Sequence, residues 1–172
     1  MLLVLVGLSG SGKSFVASIL HKEFGFEWIR SDKIRKEMVG LEPTKKVKVS
    51  FSEGIYAEDW TKKVYERMLE VAEEKLMQGK SVVLDATFLK KWQRDMVLKK
   101  FPKAVFVWIT ADEEEIIKRL NSRKDISDAD VEIYLRQKEV FEPPEEAFIL
   151  DTTKNSGYIR ERLKEILERS HS

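Results

Sequence analysis

Leu2-Leu3-Val4-Leu5-Val6-Gly7-Leu8-Ser9-Gly10-Ser11-Gly12-Lys13-Ser14 is the stretch on which the fold turns. Five consecutive apolar residues read as a strand buried on both faces, the habit of a parallel sheet. Directly behind them, Gly7, Gly12, Lys13 and Ser14 satisfy G-x-x-x-x-G-K-[ST], and a helix-period segment follows as far as Phe24. Strand, glycine loop and helix is the context this motif requires. A chance glycine turn would need no lysine and no hydroxyl at the helix start.

The chemistry of such a loop follows from its backbone. Glycines let successive N–H groups face one concavity, and the positive end of the next helix adds to it, so a polyphosphate is the expected ligand. Gly10, Ser11, Gly12, Lys13, Ser14 and Phe15 are the candidate ATP-binding residues. Lys13 is placed to reach the β- and γ-phosphates and Ser14 to offer a hydroxyl to Mg²⁺. ATP and Mg²⁺ are therefore the expected cofactors.

Outward from this loop the pattern repeats. Further strands are expected at Glu27–Arg30, Ser81–Asp85, Ala104–Thr110 and Ala147–Asp151. Helices are expected at Ser31–Gly40, Tyr56–Gln78, Lys90–Lys100, Asp112–Ser122, Asp128–Val140 and Gly157–Arg169. Thr110-Ala111-Asp112-Glu113 has capping-box spacing, which places a helix start directly after the fourth strand. The alternation predicts one three-layer α/β/α domain over residues 1–172, built on a five-stranded parallel sheet. The pattern lapses between Gly40 and Gly54, where a mobile segment is expected.

Composition narrows the class. With 172 residues, 42% hydrophobic and 35% charged, the chain is a globular domain large enough for one core. A net charge of +1 is low for a protein that coats nucleic acid or clings to anionic membranes. The absence of cysteine excludes disulfides, thiolate metal sites and a cysteine nucleophile. The apolar opening run is too short for a secretory signal or a membrane span, so a cytoplasmic location with no membrane partner is expected.

Several kinds of protein share the loop. No Asn-Lys-x-Asp guanine-reading segment occurs, and Ala86 follows the strand-end Asp85 where motor ATPases commonly place a glutamate. Ser31-Asp32-Lys33-Ile34-Arg35, Val82-Val83-Leu84-Asp85-Ala86-Thr87-Phe88, Gln93-Arg94-Asp95, Arg119-Leu120-Asn121-Ser122-Arg123 and the stretch Gln137 to Pro144 follow in order. In that order and spacing the chain resembles the AAA_33-type P-loop kinases, which include the kinase domain of polynucleotide 5′-kinases. The resemblance runs from Leu3 to about Asp151.

The resemblance implies an ATP-dependent phosphotransferase with an alcohol as acceptor and an arginine-bearing lid at about residues 119–130. It gives Asp32 the task of engaging the attacking hydroxyl and Arg35 that of binding the acceptor. Arg119 and Arg123, four apart on one helix face, become lid arginines beside the transferred phosphoryl. Lys124 and Arg136 are alternatives to Arg123. Lys13, Asp32, Arg119 and Arg123 are thus the catalytic candidates, and Asp32, Arg35, Asp85, Thr87 and Arg94 the acceptor-binding ones. Ser14 and Asp85 are the metal candidates, and Thr152, Thr153 and Lys154 fall where such kinases hold adenine. Against these stand blander readings: a dipole-favoured acid at a helix start for Asp32, and exposed helix positions for the arginines.

The acceptor is less determined. Lys33, Arg35, Lys36, Lys45, Lys46 and Lys48, with a second cluster of Lys90, Lys91, Arg94, Lys99 and Lys100, suit a nucleic-acid 5′-end. Trp28, Phe51, Tyr56, Trp60 and Trp92 add rings able to stack on bases. These features lean the reading toward a polynucleotide 5′-hydroxyl. Near-neutral charge keeps a small-molecule alcohol (a sugar, nucleoside or antibiotic) as the alternative, and a non-catalytic ATP-dependent switch as the reading from another class. Protein partners are not legible.

Overall fold

The computed structural model describes residues 1–41, 54–122 and 129–170. Five strands, β1 (Leu2–Val6), β2 (Glu27–Arg30), β3 (Val82–Asp85), β4 (Val105–Thr110) and β5 (Phe148–Asp151), form one sheet of order β2-β3-β1-β4-β5. Every pairing is parallel, with Leu3 opposite Val83 on one side and Val105 on the other. The central strand β1 is the one that feeds the glycine loop, as its unbroken apolar run requires.

Side-chain alternation along β1 divides the core. Leu3 and Leu5 face α1 (Lys13–Phe24) and α7 (Ser156–Ser170), packing with Val16, Leu20, Ile159 and Leu163. Leu2, Val4 and Val6 face the other side, where α2 (Ser31–Leu41), α3 (Gly54–Met77) and α4 (Lys91–Lys100) contribute Ile34, Met68 and Val97. The period of two on a strand sends neighbours to opposite layers, so a continuous hydrophobic run yields two cores. A third, small cluster of Ile116, Leu120 and Tyr134 joins α5 (Glu113–Ser122) to α6 (Ala129–Val140) and leans on Leu8 of the loop.

The expected elements are present with end shifts of one or two residues. The fourth crossover differs in its start. Thr110 does not cap α5: its carbonyl accepts the Thr152 amide as part of the sheet, and the helix begins only at Glu113. The demands of the β4–β5 ladder thus override the local capping pattern. Most of the Gly40–Gly54 segment, including Lys45, Lys46, Lys48 and Phe51, lies outside the described residues, as do Arg123 and Lys124 and with them most of the expected lid.

Candidate active site

At the C-terminal edge of the sheet, β1 ends and the chain turns through Gly7–Ser14 into α1. Gly12 stands at the helix N-cap with φ +99°, and its backbone conformation is one that L side chains rarely adopt. A Cβ there would meet the Thr152 side chain at 2.8–3.0 Å, so space and backbone both demand glycine. No side chain caps α1. Its first-turn amides are therefore available to an anion, in line with the helix dipole.

One cleft of about 1230 Å³ opens over this loop. Gly10, Gly12, Lys13, Ser14 and Phe15 line it from the loop side, and Asp32, Arg35, Asp85 and Thr87 from the ends of the neighbouring strands. Arg119 and Gln137 close it from α5 and α6, and Thr152 and Lys154 from the turn after β5. Ser11 is buried rather than exposed to the cleft. Its backbone still shapes the loop, donating to the Leu8 carbonyl at 3.1 Å.

The metal candidates meet. Asp85, buried at the end of β3, accepts a hydrogen bond at Oδ2 from Ser14 Oγ (3.2 Å) and another from Trp28 Nε1 (3.0 Å). A hydroxyl and a carboxylate side by side are hard oxygen donors suited to Mg²⁺, which binds through one or two protein ligands and otherwise through phosphates and water. Among the described residues no group of three or more His, Cys, Asp or Glu could form a self-sufficient metal cage. The donor set therefore fits a metal that arrives with a triphosphate. Trp28 was expected as a stacking aromatic; its ring instead packs with the Arg30 guanidinium at 4.8 Å while its N–H orients Asp85.

Asp32 sits in the first turn of α2, exposed to the cleft, and its side chain has no hydrogen-bond or ionic partner among the described residues. Such a carboxylate is available to an incoming hydroxyl. Arg35, one turn further, also lines the cleft and pairs with no carboxylate among the described residues.

Arg119 is held rather than loose. Its guanidinium donates to the Gly10 carbonyl (3.1 Å), to Thr152 Oγ1 (3.0 Å) and to the Thr152 carbonyl (2.8 Å), with Glu115 at 3.3 Å from Nε. It is a fixed wall between the loop and the β5–α7 turn. Arg136, offered as a stand-in for Arg123, is exposed and paired with Glu132 at 2.9 Å, away from the cleft.

Arg94 departs from the expectation. It is buried, does not line the cleft, and donates to the carbonyls of Phe88 (2.7 Å) and Glu142 (2.6 Å). Burial lowers its pKa from the ordinary arginine value, though a guanidinium stays protonated. Its place is behind the acceptor side. Phe88 carries φ +45°, an uncommon conformation for a non-glycine residue, and is gripped by Arg94, by the Tyr65 hydroxyl on its N–H (3.2 Å) and by stacking on the Tyr65 ring. That kink turns Thr87 so that its side chain lines the cleft and its carbonyl accepts the Gly7 amide at 3.2 Å.

Two contributors escaped the sequence reading. Gln137 of α6 accepts the Ser9 amide at 2.8 Å, and the Tyr65 hydroxyl reaches Phe88 from α3. Gln137 opens the stretch to Pro144 that carries the resemblance, but its contact with Ser9, like that of Tyr65 with Phe88, crosses a long stretch of chain. The second basic cluster also disperses: Lys91 pairs with Asp95 and Lys100 with Glu73, and of that group only Lys90 lines the cleft.

A phosphate loop after the central strand of a five-stranded parallel sheet, flanked by helices on both faces, defines a P-loop kinase fold. The chain belongs to the AAA_33 family, described as an AAA domain, which matches residues 2–144. It is 27% identical over 121 residues to a thermosensitive gluconokinase of Escherichia coli (strain K12), covering 70% of this chain and 60% of that protein. The match thus spans less than two thirds of the gluconokinase. Among solved structures it is similar to a gluconokinase from Sinorhizobium meliloti 1021, with TM-score 0.69 and 20% identity over 98% of this chain and 93% of that one. It is also similar to a sugar kinase from Janibacter sp. HTCC2649, with TM-score 0.73 and 20% identity over 97% and 94%. At such identities these two structures speak for the fold.

Proposed function

We propose that this protein transfers the γ-phosphoryl group of ATP to a hydroxyl of a small polar molecule. The observation that carries the reading is one cleft holding Lys13, Ser14 and Asp85 on the donor side and, beside Arg35 on the acceptor side, an Asp32 unpaired among the described residues. The leaning toward a polynucleotide end gives way to the small-molecule alternative. Two things favour the change: the dispersed α4 lysines, and the likeness to a gluconokinase and a sugar kinase. Around Asp32, the acceptor wall carries Glu58, Thr61, Thr87 and Gln93 as well as Arg35. Carboxylate, hydroxyl and amide groups of this kind recognise hydroxyls by hydrogen bonding, which suits a polyol-like acceptor.

In this reading the glycine loop and Lys13 hold the triphosphate, and Arg119 braces the loop from the side. Mg²⁺, held by Ser14 and Asp85, would offset charge on the phosphates. Asp32 accepts a hydrogen bond from the acceptor hydroxyl and takes its proton as the oxygen forms a bond to the γ-phosphorus. The bond from that phosphorus to the bridging oxygen breaks, and ADP leaves with the electron pair. Positioning supplies most of the catalysis, because little covalent chemistry falls to the protein.

A panel of acceptors with γ-labelled ATP tests the proposal: aldonic acids, sugars, nucleosides, aminoglycosides and 5′-hydroxyl oligonucleotides. Label on a small alcohol is the expected result. Transfer only to oligonucleotide ends would overturn it, and tight ATP binding without any transfer would favour a regulatory switch.

A further inference from the structure

The loop that receives the phosphates is held by two helices that lie far from it in the chain. Arg119 of α5 grips the Gly10 carbonyl, and Gln137 of α6 grips the Ser9 amide. The two contacts differ in where they stand. Arg119 also binds Thr152, on the β5 side of the loop. Gln137 belongs to the segment that leads into Glu142, whose amide donates to the Leu89 carbonyl at 2.9 Å. The Glu142 carboxylate accepts the Lys91 amide at 2.8 Å. Leu89 and Lys91 follow Thr87 and Phe88 in the acceptor-side turn. Gln137 therefore stands where the loop's outer rim meets the acceptor wall, the path a transferred phosphoryl must take.

Its amide has a fixed sense. The Ser9 N–H is a donor, so the atom facing it is the side-chain oxygen, and the other end of the amide is an NH₂ with two donor hydrogens. Gln137 is 5% exposed yet lines the cleft, and its nitrogen is not among the buried polar atoms left without a partner. Among the described residues none accepts a hydrogen bond from that nitrogen, which leaves its two hydrogens for a group in the cleft that Gln137 lines. A neutral donor locked by its own oxygen is preorganised for an anion that appears only when the nucleotide is bound.

We propose that Gln137 contacts the terminal phosphoryl group of bound ATP through its side-chain NH₂, its oxygen being anchored on the Ser9 amide. The inference rests on the triphosphate-binding part of the proposed function and not on the identity of the acceptor. Gln137 thereby distinguishes a nucleoside triphosphate from a diphosphate and steadies the group being transferred.

Glu at this position makes the decisive variant. Gln137→Glu keeps an oxygen to accept the Ser9 amide while replacing the donor with a negative charge. Gln137→Met removes both ends and keeps the volume. Calorimetry with ADP and with a non-hydrolysable ATP analogue reads binding without any acceptor. The proposal expects Gln137→Glu to weaken the analogue by about tenfold or more while leaving ADP within about twofold, because only the analogue places charge against the carboxylate. Gln137→Met is expected to weaken the analogue less than Gln137→Glu does. If Gln137 merely clamps the loop, the order reverses: Glu, a stronger acceptor for the Ser9 amide, behaves as wild type and Met is the damaged variant. An unchanged analogue-to-ADP affinity ratio in Gln137→Glu overturns the proposal. Failure of every acceptor in the labelling panel, with that ratio still shifted, would sink the kinase reading and leave this one standing.

Discussion

Replacing Arg94 by methionine should destabilise the protein substantially and injure the acceptor side of the cleft more than ATP binding. The side chain is 6% exposed and makes two short hydrogen bonds, to the Phe88 carbonyl (2.7 Å) and to the Glu142 carbonyl (2.6 Å). Hydrogen bonds from a charged donor contribute about 1.5–3 kcal/mol each, and a buried carbonyl left unpaired costs about 1–3 kcal/mol. Only the Phe88 bond is fully buried; water can replace the guanidinium at the half-exposed Glu142 bond. Relief of the desolvated charge offsets part of the loss, in keeping with the downward pull of burial on the Arg94 pKa. The net expectation is about 3 kcal/mol, or a fall in Tm of roughly 6–12 °C for a domain of this size. The kinetic signature is separate. Once Phe88 is free to leave φ +45°, Thr87 loses its placement, so the acceptor KM should rise several-fold and the affinity for ATP should fall by less, through the Gly7 amide that the Thr87 carbonyl holds. Thermal unfolding and calorimetry supply both readouts. A Tm within about 2 °C of wild type would refute the assignment of Arg94 as the brace of this turn. Arg94→Lys should fall nearly as far, since one ammonium cannot span two carbonyls as a fork does.

Asp32→Asn should retain ATP binding and lose transfer by two or more orders of magnitude, because an amide cannot take the hydroxyl proton; turnover unchanged within twofold would remove Asp32 from the mechanism. The α5–α6 contact should depend on pH at both ends. The hydrogen bond from Lys138 holds the Glu113 carboxyl below its ordinary value, with the Tyr134 hydroxyl adding to it, and the same carboxylate raises Lys138. A depressed acid stabilises above its unfolded value and loses that contribution as pH falls through its folded one. A raised amine contributes below its unfolded value and loses that as pH rises through its folded one. The contact is therefore complete around neutrality. Lys138→Met should move the acid-side loss of α6 amide-exchange protection to higher pH, and an unmoved midpoint would show that Glu113 is not the group responsible.

Much of the donor half was legible because its signals are local. The Leu2–Val6 run, the glycine spacing and Lys13-Ser14 lie within a dozen or so residues, and the backbone they dictate is the backbone found. Asp85 was legible too, as a polar residue ending an apolar strand, and register then brings it to Ser14. What sequence could not convey was contact at long separation. Nothing near Gln137 announces a bond to Ser9, and nothing near Trp28 announces that its indole N–H orients Asp85. Arg119, expected as a lid arginine, lines the cleft, and its three loop and turn partners make it a brace, a role that a lone arginine on a helix face does not reveal.

The acceptor half shows why counting charge along the chain misdirects. Lys90, Lys91, Arg94, Lys99 and Lys100 look like one patch in sequence, yet a helix turns about 100° per residue and spreads them around its axis. Lys91 falls four residues from Asp95 and pairs with it at 2.8 Å; Lys100 reaches Glu73 on the adjacent helix; Arg94 points inward to backbone carbonyls. Exposed pairs of this kind add little stability. Their effect is to divide the positive charge of α4 among separate partners, so that along this helix the cluster does not form one strip. The cationic groups that line the cleft around Asp32, namely Arg30, Arg35 and Lys90, stand among Glu58, Thr61, Thr87 and Gln93. Three cations there alternate with two carboxylates, two hydroxyls and an amide, and in the proposed function each of these polar groups is one that an acceptor's hydroxyls can bind.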